Sequence, residues 1–74
     1  MLMKKEIKSG VYLLRLRSLS GLSQKEFAKT FGVTRGYISQ LENNRVSISI
    51  ATFVMWCKYF NVSPKQIFFD DEWA

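Results

Sequence analysis

The segment that decides the fold of this chain is LSQKEFAKTFGVTRGYISQLENN, residues 22–44. Ser23 and Glu26 have the spacing of a capping box, which predicts a helix that begins immediately after Ser23. Gly32 supplies a permissive turn position, and Thr34 is a good N-cap for a second helix. Two short helices joined by a short turn that contains glycine form a helix-turn-helix unit.

The second helix of this unit has an outer face with an unusual choice of residues. The helix has few large apolar residues besides the inward Ile38 and Leu41. Its other face holds small groups and hydrogen-bond donors: Arg35, Gly36, Ser39, Gln40 and Asn43. Arginine and glutamine form bidentate hydrogen bonds with guanine and adenine edges, whereas a merely solvated face more often carries glutamate and lysine. These residue types favour a helix that reads bases in the major groove, with Ser39 at the groove wall.

Gly36 stands inside this second helix, where glycine costs ~1 kcal/mol relative to alanine. Two interpretations stay open. Close approach to the groove floor or to a thymine methyl group requires a residue without a side chain. Alternatively, an exposed helical position has drifted to glycine without functional consequence.

The run GLSQKEFAKTFGVTRGYISQLENN resembles the DNA-binding domain of the phage-repressor and Cro-like (XRE-type) family of transcriptional regulators. The similarity extends over about residues 10–69. It implies an all-α, five-helix, lambda-repressor-like domain whose helix-turn-helix, about residues 23–43, comprises helices 2 and 3. It also implies sequence-specific binding of double-stranded DNA.

The resemblance also implies individual roles. Arg17 matches a position at which the family pairs a basic side chain with the glutamate that ends the recognition helix, here Glu42. Gln24 resembles a glutamine that binds a phosphate and braces a side chain of the recognition helix. Contacts to DNA phosphates are expected from a group around the unit: Arg17, Gln24, Thr34, Tyr37, Asn43 and Arg45. Such contacts orient the protein, while Arg35 and Gln40 would carry most of the sequence information.

The chain has 74 residues, which allow one domain with a small core. We divide it into a basic N-terminal arm (1–8), the DNA-binding domain (9–69) and an acidic-aromatic tail (70–74). Residues 1–69 hold all eleven basic residues against three glutamates, a net charge of +8. A domain this basic attracts polyanions such as nucleic acid, although such a charge also serves solubility alone.

Three further helices are predicted around the unit. Ser9 caps a helix that runs to about Leu19 and is closed by Gly21, and Ser63 with Pro64 begins a short final helix. Between them Ser49 caps a helix over Ile50–Phe60. Its inward residues are Ile50, Phe53, Val54, Cys57 and Phe60, with Trp56 at the edge of the core.

This fourth helix also has an apolar outer stripe. Ala51, Met55 and Tyr59 are four residues apart and stand where the family is usually polar. Exposed apolar surface on a small protein needs a partner. Because one recognition helix spans only a few base pairs, the resemblance implies a two-fold dimer. We therefore expect a homodimer interface built from this stripe and the preceding linker: Val46, Ile48, Ala51, Met55 and Tyr59. Cover by the tail is the alternative, and Val11, Leu14 and Leu19 on the first helix need cover as well.

The function that follows is a transcriptional regulator that binds an approximately palindromic operator as a homodimer and acts as a repressor, of the phage-repressor or restriction–modification controller type. Two alternatives remain: the DNA-binding antitoxin of a toxin–antitoxin pair, and a protein-interaction module that uses the apolar stripe. A toxin or RNA polymerase is a conceivable protein partner. No enzyme activity, cofactor, metal site or membrane association is expected, and the cytoplasm of a bacterium or phage-infected cell is the expected location.

Overall fold

The structure, a computed structural model, describes residues 6–69. The predictions for residues 1–5 and for the tail 70–74 therefore lie outside the described part of the chain. The elements follow in the order β1 (Glu6–Ile7), α1 (Gly10–Ser20), α2 (Gln24–Phe31), α3 (Arg35–Glu42), β2 (Ile48–Ser49), α4 (Ile50–Tyr59) and α5 (Pro64–Phe69). The five helices confirm the all-α prediction, and the helix boundaries differ from those predicted by at most one or two residues.

The helix-turn-helix is built by the local signals that predicted it. The backbone N–H of Glu26 donates to Ser23 Oγ at 3.1 Å, and the N–H of Ser23 donates to Glu26 Oε1 at 3.0 Å. Hydrogen bonds from Ser23 to the Glu26 carboxyl, from the Ser23 backbone N–H first and from its side chain second, hold the pKa of this carboxyl below its usual value. Gly32 closes α2 in the left-handed conformation with φ 68°, and Thr34 Oγ1 caps α3 by accepting from the N–H of Tyr37 at 3.0 Å.

The start of α1 differs from the prediction. Ser9 is fully buried, and its hydroxyl neither caps the helix nor forms any other hydrogen bond. The N–H of Gly10 instead donates to Oδ1 of Asn44, at 2.9 Å. A Cβ atom at Gly10 would lie 2.7 Å from the carbonyl oxygen of Glu42, so only glycine fits where α1 begins against the end of α3.

Residues 6–8 also differ from the prediction, which placed them in a basic N-terminal arm separate from the DNA-binding domain. Strand β1 pairs antiparallel with β2, with Glu6 opposite Ser49 and Ile7 opposite Ile48. The side chain of Ile7 packs against the core. The chain therefore joins the domain from residue 6 onward.

The core lies where the five helices meet. Its buried apolar residues are Leu13, Leu16, Phe27, Ala28, Ile38, Leu41, Ile48, Phe53, Trp56, Cys57 and Ile67. Trp56 was predicted at the edge of the core but is only 7% exposed, because its ring stacks on Phe31 with centroids 4.6 Å apart. Conversely, Ile50 and Val54 are only half-buried. Burial raises the pKa of the Cys57 thiol to about 11, as expected of a cysteine that acts as a small apolar core residue.

Candidate nucleic-acid interface

The α3 helix presents two sharply different faces. Ile38 and Leu41 are fully buried, so they fix the rotation of the helix on the domain. Arg35, Gly36 and Gln40 are exposed on the outside, while Ser39 is half-buried. Three of the four residues predicted to read bases thus stand free in solvent on one helix, and the fourth lies at the margin of that surface.

Gly36 has open space around its Cα. A Cβ atom built there would meet only Thr34 Oγ1, at 3.9 Å, which is an ordinary van der Waals contact. The fold itself therefore accepts alanine at this position, in contrast to Gly10. A requirement for glycine at position 36 would have to come from a molecule that approaches the outside of α3.

A network of hydrogen bonds joins α1 and α2 to the last residue of α3. Arg17 Nε donates to Glu42 Oε2 at 2.6 Å, and Arg17 Nη2 donates to Oε1 at 3.3 Å. The amide of Gln24 donates to the same Oε1 at 2.8 Å. The Glu42 side chain is only 5% exposed, and a carboxylate this buried requires such partners.

The same network defines the role of Gln24. The resemblance implied that this glutamine braces a recognition-helix side chain and binds a phosphate. Its amide nitrogen is bound to Glu42, the final residue of α3. The Gln24 amide thus contacts this carboxylate and not the residues predicted to read bases.

Arg17 retains donors beyond this network. Its Nη1 donates to the carbonyl oxygen of Leu22 at 3.2 Å. A guanidinium has five N–H donors, and three are used in the bonds to Glu42 and Leu22. With the side chain 23% exposed, the remaining donors can serve a ligand at the surface.

The other candidates for phosphate contacts differ in their availability. Thr34 is exposed, and because its oxygen accepts the capping hydrogen bond, its hydroxyl proton is free to be donated. Tyr37 is half-buried and packs against the core. The amide of Asn43 donates back to the carbonyl oxygen of Ser39 at 2.9 Å, so it points along α3 and must reorient before it contacts a phosphate. Arg45 is exposed just beyond the helix.

Sequence reasoning missed Asn44 and Gly10 as determinants of this surface. Asn44, two residues after the end of α3, adopts the left-handed conformation, with φ 59°. Its side chain then caps α1 from 34 positions away, a contact that no local pattern reveals. Together the two residues set how closely α1 approaches the end of α3.

The apolar stripe on α4 is present in part. Met55 is 65% and Tyr59 66% exposed, and Ala51 and Val46 are half-buried. Ile48 is wrong as an interface residue, because β2 turns its side chain into the core and leaves it 3% exposed. The rings of Tyr59 and Phe31 form a T-shaped contact, with centroids 5.4 Å apart. Val11, Leu14 and Leu19 on α1 are exposed within the described part of the chain.

Charge and composition limit what this surface can bind. Between residues 6 and 69 there are nine lysines and arginines against three glutamates, and Arg17 neutralises Glu42. In that same range, His, Cys, Asp and Glu residues form no group of three that is suited to hold a metal ion. None of the helices between Glu6 and Phe69 is both long and apolar enough to span a membrane.

Comparisons with known proteins agree with this architecture. A family model described as helix-turn-helix matches residues 13–67. The chain is 35% identical over 63 residues to antitoxin PezA of Streptococcus pneumoniae, an alignment that covers 85% of this chain and 40% of that protein. It is 33% identical over 63 residues to the HTH-type transcriptional regulator PuuR of Escherichia coli, which covers 85% of this chain and 34% of PuuR.

A third relative is the HTH-type transcriptional regulator PrpR of Mycobacterium tuberculosis, 31% identical over 64 residues, which make up 86% of this chain and 13% of PrpR. The chain thus spans less than half the length of each of these three relatives. In a comparison with solved structures, none matches the chain with the statistical significance of the three relatives above.

Proposed function

The chain belongs to the XRE-type helix-turn-helix family of DNA-binding transcriptional regulators, and on that premise we propose that it binds a roughly palindromic operator as a homodimer and represses transcription. It acts in the cytoplasm, where it occludes promoter DNA. The observation that carries the proposal is the division of α3 into a fully buried face, Ile38 and Leu41, and an exposed face of base-reading residues.

Helix α3 enters the major groove with its exposed face toward the bases. Arg35 and Gln40 hydrogen-bond to base edges, since their side chains provide the bidentate donors and acceptors that distinguish guanine and adenine. Gly36 allows the backbone between them to approach a base pair or a thymine methyl group. Ser39 contacts the groove wall at the margin of this surface.

Phosphate contacts hold α3 in register with the groove. The Thr34 hydroxyl lies at the N-terminal end of α3, where free backbone N–H groups favour an anion. Arg17 directs its remaining guanidinium donors at a phosphate while its other donors hold Glu42 and Leu22. Tyr37 and Arg45 contribute further contacts. The second N–H of the Gln24 amide joins them while the first holds Glu42. Asn43 joins them after its amide turns away from Ser39.

A homodimer supplies the second recognition helix. The interface is centred on Met55 and Tyr59, with Ala51 and Val46 at its edge, because these apolar groups are exposed or half-exposed on the described domain. A two-fold axis through this patch would present two copies of α3 to half-sites one helical turn, ~34 Å, apart on the same face of the duplex.

The experiment that tests the proposal is selection of binding sites from a randomised duplex library with the purified protein. A two-fold symmetric motif supports a homodimer that reads sequence. An enriched single half-site would retain base reading and reject the homodimer. Salt-sensitive binding without any enriched motif would reject α3 as a reader of bases.

A DNA-binding antitoxin is the second candidate, favoured by the 35% identity to a protein named as an antitoxin. In this case the patch around Met55 and Tyr59 would hold a toxin, and DNA binding would regulate the genes of the pair. Co-purification from the native host separates the two: an antitoxin elutes with a second polypeptide in fixed stoichiometry, whereas a homodimeric repressor elutes alone.

A further inference from the structure

Three contacts tie the N-terminal segment to the chain that follows α3. Ile7 pairs with Ile48 across the two short strands. The N–H of Gly10 donates to the side chain of Asn44 at 2.9 Å. Between these two anchors, the ammonium of Lys8 donates to the carbonyl oxygen of Asn44 at 3.3 Å. Lys8 is therefore held at the C-terminal end of α3, although it lies 36 positions away in the sequence.

The ammonium of Lys8 is available to a ligand at this place. Lys8 is exposed, and an ammonium has three donors, of which the carbonyl oxygen of Asn44 takes one. The neighbouring Arg45 is exposed as well. Neither nearby acid competes for this ammonium. Glu42, at the end of α3, is already neutralised by its ion pair with Arg17. Among the described residues, Glu6 forms no ion pair with Lys8.

The length of α3 relates this position to DNA. Its eight residues span roughly 12 Å at 1.5 Å per residue, and the major groove is about 12 Å wide. When Thr34, just before the N-terminal end of α3, lies near one phosphate backbone, the opposite end reaches the other backbone. The groups there are Asn43, Arg45 and the ammonium of Lys8.

We propose that Lys8 is a DNA-phosphate contact, positioned beside Arg45 by the pairing of β1 with β2. This inference rests on the proposed function, since it requires α3 in the major groove. It adds to the interface a residue from the segment before α1. The competing role for Lys8 is purely structural: a cation at the C-terminal end of a helix stabilises the helix dipole and its last carbonyl groups.

The test compares Lys8→Gln with Lys65→Gln, which removes the same charge from an exposed lysine on α5, a helix packed against α1 and α4. Binding to a fluorescein-labelled duplex of mixed sequence, long enough for two half-sites, is measured over a range of salt concentrations. Loss of one phosphate contact in each protomer makes the slope of log K against log salt less steep by about two for a bound dimer, and it lowers the affinity at physiological salt by roughly 30-fold. Lys8→Arg should restore the slope, and thermal unfolding checks that each variant is folded.

The outcomes separate the inference from its premise. A reduced slope for Lys8→Gln and an unchanged slope for Lys65→Gln support the contact. Equal slopes for both variants and the wild type overturn it, as does a lowered melting temperature of Lys8→Gln with a wild-type slope, which would confine Lys8 to stabilising α3. No salt-dependent binding by the wild-type protein would reject the proposed function itself.

Discussion

Arg17 and Glu42 are joined by two hydrogen bonds, with Arg17 Nε 2.6 Å from Glu42 Oε2, and this pair fastens the third helix turn of α1 to the last residue of α3. Because Gln24 donates to the same carboxylate, three helices share one buried acid. The pair therefore sets the orientation of the proposed recognition helix, besides neutralising a charge at the end of that helix.

Replacing one partner of this pair should destabilise the domain. Arg17→Ala leaves the Glu42 carboxylate buried with Gln24 as its remaining side-chain donor, which should cost about 3 kcal/mol of unfolding free energy. The measurement is urea denaturation followed by circular dichroism. The double variant Arg17→Met with Glu42→Leu should lose less unfolding free energy than Arg17→Met and Glu42→Leu lose in sum as single variants, since no charge remains buried in the double variant. Strictly additive losses would mean that the pair does not couple α1 to α3.

The base-reading assignment predicts losses that depend on sequence. Arg35→Ala and Gln40→Ala should each lose ~1–3 kcal/mol of discrimination at one particular base pair, because each removes a bidentate contact to a base edge. Arg45→Ala is the matched control. It should weaken binding to operator and scrambled duplex alike and make the salt slope less steep by about one for each bound protomer. Discrimination is measured by competition binding against single-base variants of the selected operator. If Arg35→Ala loses equal affinity for operator and scrambled duplex, Arg35 does not read a base.

Gly36→Ala should separate stability from binding. The new methyl group meets only Thr34 Oγ1 at 3.9 Å, and alanine is the better helix former, so the unfolding free energy should rise by about 1 kcal/mol. Affinity for the operator should fall, since the methyl group occupies the space through which α3 approaches the base pair. If affinity is unchanged in a gel-shift titration, glycine at this position has no role in recognition.

Gly10→Ala should have the opposite effect on stability. Its Cβ atom would lie 2.7 Å from the backbone oxygen of Glu42 and 2.8 Å from Oδ1 of Asn44, so α1 must shift away from α3. We expect a loss of about 1–3 kcal/mol, as in other overpacked sites. The melting temperatures of Gly10→Ala and Gly36→Ala are measured by thermal denaturation under the same conditions. If Gly10→Ala melts at the wild-type temperature, the close approach of α1 to the end of α3 does not require glycine.

The dimer proposal predicts a change in mass. Met55→Asp with Tyr59→Asp places two charges in the exposed patch of α4, where they would be buried on association, and should give monomers in sedimentation velocity. Lys58→Asp, an exposed change on the same helix outside the apolar stripe, is the control and should leave the dimer intact. A double variant that sediments like the wild type would remove this patch from the interface.

Much of the fold was readable from the sequence because its signals act over a few residues. The capping box at Ser23 and Glu26, the left-handed glycine at position 32 and the N-cap at Thr34 each involve groups within one helical turn, so their geometry follows from residue type and spacing. The buried and exposed faces of α3 follow from helical periodicity for the same reason. The Arg17–Glu42 pair is different, since it was expected only from resemblance to a family.

Tertiary structure alone decided the contacts between distant segments. Ile48 has the hydrophobicity of an interface residue, yet pairing of β2 with β1 turns it into the core, and a strand of two residues has no periodicity from which this could be read. Likewise, Ser9 has the residue type of an N-cap, but Asn44 takes that role because the end of α3 packs against the start of α1. The sequence by itself determined the helices and the face of α3 that is exposed. Long-range packing determined which side chains stand beside that face, since the sequence does not specify the distance between segments that meet only on folding.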